Sequence, residues 1–234
     1  MRALGAIGTL TAAVLVCAAM LTAPIARVAS AEAEPCPDVD VIFARGTFEP
    51  PGVGVTGQAF VDALQSRLAP KTVEVSPVDY PASLDFANGA GAGVADATRQ
   101  VTAAAARCPK ADIVVGGYSQ GAAVSGYVTS DTVPANFPLP DGVTGPLPPE
   151  TARHVAAVVL FGKPSAGFLN FLVRDAPPID IGHLYASKTI DLCEAEDPVC
   201  SPTGNRQGAH GSYASNGMAD QAADFTVRAM QRSA

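Results

Sequence analysis

The chain has no tryptophan, only three histidines in 234 residues, and a charged fraction of 16% without a run of lysine or arginine. With a formal net charge of −7 and pI near 4.8, it lacks the electrostatic footprint of a nucleic-acid binder. Charges this sparse rule out long heptad coiled coils, and 22 glycines without a period of three rule out collagen. A hydrophobic fraction of 48% is too high for intrinsic disorder. No CxxC spacing occurs among the five cysteines, which removes the usual basis for a thiolate zinc site. What remains is a globular domain of enzyme size.

The N-terminus reads as a secretory signal peptide over 1–31: Arg2 is followed by an apolar stretch from Ala3 to Leu21, and Ala29-Ser30-Ala31 fits a small-x-small cleavage site. A retained membrane anchor is the competing reading, because the run approaches spanning length. Cleavage leaves one domain, 32–234, destined for the extracellular space or cell wall, with 13 basic and 22 acidic residues and a charge of −9. It also removes Cys17. Four cysteines remain, an even set in an oxidising compartment. Cys193 and Cys200 bracket a short acidic loop and are paired here, which leaves Cys36 with Cys108. Loop entropy gives about 2.5 kcal/mol for the short clip and about 4.4 for the long one, as upper estimates.

Strand and helix patterns alternate along the rest. Val39–Ala44 is a β-branched run, Thr56–Ala69 an amphipathic helix with Thr56 as cap, Val73–Val78 a second strand and Val94–Arg107 a second helix. A third strand, Ile113–Gly116, leads into Gly117-Tyr118-Ser119-Gln120-Gly121 and an alanine-rich helix to about Ser130. The Pro-rich stretch 134–149 is a long surface loop. Val155–Phe161 is apolar throughout, as in a parallel strand covered on both faces. Ile181–Ser187 is the expected fifth strand, and Met218–Met230 a closing helix. The pattern predicts one mostly parallel sheet with helices on both faces.

Gly117-x-Ser119-x-Gly121 between a strand and a helix has the form of a nucleophile elbow: glycines permit the tight turn, and the serine hydroxyl projects at a helix N-terminus. A serine needs a histidine base oriented by a carboxylate, here in the chain order serine, acid, histidine. His154 and His183 fall at or beside strands, whereas His210 sits in the loop Gly208–Ser212 before the last helix. Asp175, Asp180, Asp191, Glu194, Glu196 and Asp197 are the candidate acids considered; Asp197 is preferred because the Cys193–Cys200 clip would hold it. Oxyanion donors are expected at Gln120 and at Thr47 in the Arg45-Gly46-Thr47 turn. Phe168, Leu169, Phe171, Leu172 and Val173 form either a wall of an acyl cleft or core.

Gly52-Val53-Gly54-Val55-Thr56-Gly57 satisfies the dinucleotide pattern, but it follows a long loop with two prolines, whereas that motif needs its turn directly after the strand. A non-catalytic secreted binding protein or antigen retaining the fold is the remaining alternative. Its weakness is the complete set of nucleophile, base and acid.

Cys36-Pro37, Ala44-Arg45-Gly46-Thr47, Cys108-Pro109, Gly116 to Ala122, Leu160-Phe161-Gly162, Cys193 to Asp197 to Cys200, and His210 occur in an order that resembles the cutinase family. The composition, leader and Pro-rich insertion are similar to actinobacterial, mycobacterial-type secreted esterases of that family. The resemblance implies an α/β-hydrolase fold with a five-stranded parallel sheet and no lid, and a monomeric serine esterase of short to medium acyl chains that uses no metal or cofactor. It implies Ser119, Asp197 and His210 as triad, Thr47 and Gln120 as oxyanion hole, and the two disulfides as paired above. Ester substrates, lipid or polymer, are the implied partners, with contact to a lipid surface where apolar side chains are exposed. Thr47 stands where fungal members have serine, adding a methyl that restricts the rotamer.

Overall fold

A computed structural model describes residues 35–132 and 141–233. The leader reading for 1–31, Cys17 and part of the Pro-rich stretch fall outside the described residues. Strands β1 (Val39–Ala44), β2 (Val73–Pro77), β3 (Asp112–Tyr118), β4 (Val155–Phe161) and β5 (Thr189–Leu192) form one sheet in the order β2-β1-β3-β4-β5, every pairing parallel. The helices are α1 (Gly54–Leu68), α2 (Phe86–Arg107), α3 (Gln120–Val128), α4 (Pro149–Ala152), α5 (Ala166–Leu172), α6 (His183–Ala186), α7 (Gln207–His210) and α8 (Met218–Ser233).

Alternation along β1 explains the layers. Val39, Val41 and Phe43 pack with Phe60 and Leu64 of α1 and Ala222 and Ala223 of α8, while Ile42 and Ala44 face Ala97 and Val101 of α2 and Ala122 and Val124 of α3. Phe43, Phe60 and Phe161 meet with centroids 6.1–6.3 Å apart on the α1/α8 side. Removing a fully buried side chain such as Leu64 there costs about 2–5 kcal/mol. Successive crossovers run in opposite directions from β1, so the topological switch lies between β1 and β3. In open α/β sheets the crevice outside the carboxyl ends at that point is where ligands bind.

Three elements differ from their sequence expectations. Helix α1 begins at Gly54 behind an N-cap Val53, and Thr56 is buried in it rather than capping it. Helix α2 begins at Phe86, eight residues earlier than the periodicity suggests. Its glycines lower helix propensity, yet a Cβ at Gly93 would lie 2.8 Å from Val124 and 3.2 Å from Tyr80, so close packing on α3 requires their smallness. The fifth strand is not Ile181–Ser187. That stretch is drawn into a turn by Gly182 N–H donating to the Thr129 carbonyl and His183 N–H donating to Asp131, and it contains α6; the strand is Thr189–Leu192.

Candidate active site

Tyr118 ends β3 and Gln120 begins α3, so Ser119 is the whole connection. Its φ of 54° and ψ of −117° are unusual for a residue with a Cβ and turn the hydroxyl out of the sheet. Such a turn is possible only with glycine on both sides. A Cβ on Gly117 would lie 2.1 Å from the Gly121 carbonyl oxygen, and one on Gly121 would lie 1.9 Å from that of Ala44.

His210 closes α7 and is placed by Tyr118, whose hydroxyl donates to the His210 carbonyl at 2.6 Å and whose ring lies 5.1 Å from the imidazole. His210 Nε2 is 2.8 Å from Ser119 Oγ, and His210 Nδ1 is 2.7 Å from Asp197 Oδ2. Asp197 is fully buried inside the loop closed by the Cys193–Cys200 disulfide; the other disulfide joins Cys36 to Cys108. Burial pushes the Asp197 carboxyl up, but hydrogen bonds from His210, Tyr213 and the Val199 N–H outweigh it and hold the group below the usual carboxylate range. The geometry provides a hydroxyl, an imidazole and an ionised carboxylate in one relay.

The other candidates are elsewhere. His183 pairs with Asp131 on the surface, and His154 precedes β4. Asp191 faces Lys163, while Glu194 accepts from Asn216. The Gly52–Gly57 motif enters α1 after the loop 45–53, far from a strand-end turn. The apolar run of α5 divides: Leu169 is buried, whereas Phe171 is 82% exposed.

Thr47 follows the end of β1, across the switch point from Ser119. Its hydroxyl donates to Gln120 Oε1 at 3.2 Å, and Gln120 Nε2 donates to the Ser83 carbonyl at 3.3 Å, which fixes a fully buried amide between two loops. Glu49 braces this turn by accepting from Gly46 N–H at 2.6 Å and Val55 N–H at 2.7 Å. Arg45, buried, donates to the carbonyls of Glu49 and Tyr80.

Sequence reasoning did not reach Glu49, Ser83 or Tyr213. Tyr213 is fully buried, donates to Asp197 Oδ2 at 2.6 Å and accepts from Glu194 N–H at 3.1 Å. Burial, and then the charge it faces, push its phenol up. The signal available was a tyrosine three residues beyond the candidate base, within reach of the same carboxylate.

A parallel sheet of this order, with a serine elbow after its central strand and an imidazole–carboxylate pair beside it, defines an α/β-hydrolase. A sequence model of the cutinase family matches residues 35–230, and the chain belongs to that family. It is 44% identical over 209 residues to Carboxylesterase Culp1 of Mycobacterium tuberculosis, covering 89% of this chain and 88% of the relative. Identity is 43% over 221 residues to Phospholipase Culp4 of the same species, covering 94% and 89%. Among solved structures, a Trichoderma reesei cutinase with a phosphonate inhibitor is 31% identical, with a TM-score of 0.62 over 84% of this chain and 78% of that one. An acetyl xylan esterase at 24% identity shares the fold, with a TM-score of 0.68 over 84% of this chain and all of that one. The protein is a carboxylic ester hydrolase.

Proposed function

We propose that the protein is a secreted serine esterase that cleaves short to medium acyl esters through an acyl-enzyme on Ser119. The observation that carries the reading is the continuous line from Ser119 Oγ through His210 to Asp197, at 2.8 and 2.7 Å. Ser119 attacks the ester carbonyl as His210 Nε2 takes its proton; His210 then returns that proton to the departing alkoxide. Water, deprotonated by the same imidazole, attacks the acyl-enzyme and releases the acid. Asp197 stays ionised, holds the Nδ1–H tautomer and stabilises the imidazolium.

The oxyanion that forms at each tetrahedral stage is held by the backbone N–H of Gln120, in the first turn of α3, and by that of Thr47. The Thr47 hydroxyl serves chiefly to fix Gln120, to which it already donates. Its additional methyl is therefore compatible with the role.

Two disulfides support export to an oxidising compartment, with residues 1–31 as the cleaved leader and 32–234 as a single monomeric domain. N-terminal sequencing of exported protein is expected to begin at Glu32. Phe48 and Leu84, both over 70% exposed, adjoin Thr47 and Ser83 and favour contact with a lipid surface.

The decisive experiment compares the wild type with Ser119→Ala on p-nitrophenyl esters. A loss of at least about three orders of magnitude in kcat is expected. Retained hydrolysis, or a fluorophosphonate that labels a residue other than Ser119, refutes the assignment.

A further inference from the structure

Two asparagine–glycine pairs occur in the chain, Asn88-Gly89 and Asn216-Gly217, and the fold treats them differently. Such a pair is prone to intramolecular loss of ammonia, because glycine has no Cβ to hinder its own nitrogen from reaching the preceding side-chain carbonyl. Asn88 lies within α2, where the Gly89 N–H donates to the Asp85 carbonyl at 2.8 Å, so the nitrogen that would attack is engaged. Asn216 is exposed, in the bend that leads into α8. Among the described residues no hydrogen bond takes up the Gly217 N–H, and Gly217 has a φ of 86°, which glycine adopts without steric cost.

Asn216 is also a brace. Its Nδ2 donates to Glu194 Oε2 at 3.0 Å and to Ser212 Oγ at 3.1 Å, and its Oδ1 accepts from the Met218 N–H at 3.0 Å. Glu194 belongs to the Cys193–Cys200 loop, and its N–H donates to Tyr213, which in turn donates to Asp197. Ser212 donates to the Ala209 carbonyl at 2.8 Å, next to His210. One amide NH₂ therefore joins the loop of the carboxylate to the turn of the imidazole.

We infer that Asn216 is a site of spontaneous deamidation, and that its conversion unties these two stretches and slows the enzyme. The Gly217 nitrogen attacks Asn216 Cγ. The new C–N bond closes a cyclic imide as the side-chain nitrogen leaves as ammonia, taking the Gly217 proton with it. Water then opens the imide at one carbonyl to give aspartate at position 216, or at the other to give isoaspartate, with the main chain running through the former side chain. Each hydrogen bond on Asn216 slows closure by about two- to tenfold, so the change is gradual in the folded protein. The aspartate keeps an acceptor for the Met218 N–H but sets an anionic oxygen against Glu194 in place of a donor, and like charges in contact repel. The effect on rate rests on Asp197 and His210 acting with Ser119; the conversion itself does not.

The folded protein is held in mildly alkaline buffer and its peptides are followed by mass, with isoaspartyl methyltransferase labelling as a second readout. The expected result is conversion at Asn216 with Asn88 intact, and a fall in kcat on p-nitrophenyl butanoate in step with the converted fraction. Asn216→Asp reproduces one product, with kcat about three- to tenfold below wild type and KM within about twofold. Adding Glu194→Gln to it returns kcat to within about twofold of wild type, because the introduced amide donates to the introduced carboxylate; a general loss of packing would not be rescued in this way. The aged wild type carries the test if Asn216→Asp does not fold. Asn216 left unconverted, or converting no faster than Asn88, overturns the site. Conversion with unchanged kcat, or no rescue by Glu194→Gln, overturns the coupling. Hydrolysis that survives Ser119→Ala overturns the triad reading and the coupling with it, while a lack of conversion overturns the site and leaves the triad reading standing.

Discussion

Tyr213 offers the sharpest test of how the carboxylate is held. Tyr213→Phe keeps a ring that packs edge-on against Phe161 at 6.1 Å and lies 5.8 Å from Tyr118, so the site should keep its shape. It removes one donor to Asp197 and leaves the Glu194 N–H without its acceptor. A hydrogen bond to a charged group is worth about 1.5–3 kcal/mol. For a domain of this size each kcal/mol moves Tm by about 2–4 °C, so a fall of roughly 3–12 °C is expected. Asp197 retains the Val199 N–H and His210, and Tyr213 is buried away from substrate, so kcat should fall about tenfold with KM little changed.

The pH dependence has a definite sign. A carboxyl held below its ordinary value contributes stability that is present above about pH 4 and is lost as pH falls through the folded-state value. Without the phenol that value moves up towards the ordinary one, so the loss still begins near pH 4 but is complete at a higher pH and is smaller in total. Urea unfolding from pH 7 to pH 3 should therefore show a wild-type advantage above pH 4 that shrinks on acidification. A variant with unchanged kcat and unchanged Tm refutes the claim that Tyr213 positions Asp197.

Asp197→Asn should lose about four orders of magnitude in kcat by stabilising the wrong imidazole tautomer, whereas Glu196→Gln, at an exposed neighbour, should remain near wild type; the reverse ranking in ester hydrolysis would move the acid. Glu49→Gln sets an amide NH₂ against one of two backbone N–H donors, Gly46 or Val55, and is expected to lower kcat several-fold by loosening the Thr47 turn. Steady-state kinetics showing only a KM effect would contradict that. Peptide mapping without reduction should recover Cys193 linked to Cys200 and Cys36 linked to Cys108, and thiol titration of folded protein should find none of these four free.

The elements read most easily from sequence were those whose own residues determine them. Val155–Phe161 is so uniformly apolar that both faces must be covered, and its strand bounds coincide with the expectation. Ser119 and His210 stand out because the Gly-x-Ser-x-Gly turn is stereochemically demanding and only three histidines compete. Where tertiary packing decides, local patterns misled. The start of α2 was hidden by glycines whose value lies in the approach of α3. The short β5 was hidden by an apolar run at Ile181–Ser187 that is bent away by bonds to Thr129 and Asp131, residues some fifty positions earlier. Tyr213 was invisible for a similar reason, since a buried tyrosine usually signals core.

The relay draws on three stretches of chain, each stiffened by a different device. Ser119 is held by the β3–α3 turn and the close approach of Gly121 to Ala44. Asp197 sits within an eight-residue covalent loop, Cys193 to Cys200, and His210 hangs from Tyr118 through a carbonyl and a ring contact. Tyr118 immediately precedes Ser119, and Tyr213 links Asp197 to the turn that carries His210. Each hydrogen bond of the relay is therefore backed by a second connection through a tyrosine. In the proposed mechanism a proton crosses from Ser119 to His210 without the heavy atoms separating, and effective positioning of this kind is where much of the rate arises. On that proposal the two tyrosines act on the chemical step as positioning residues, through the imidazole and the carboxylate they hold.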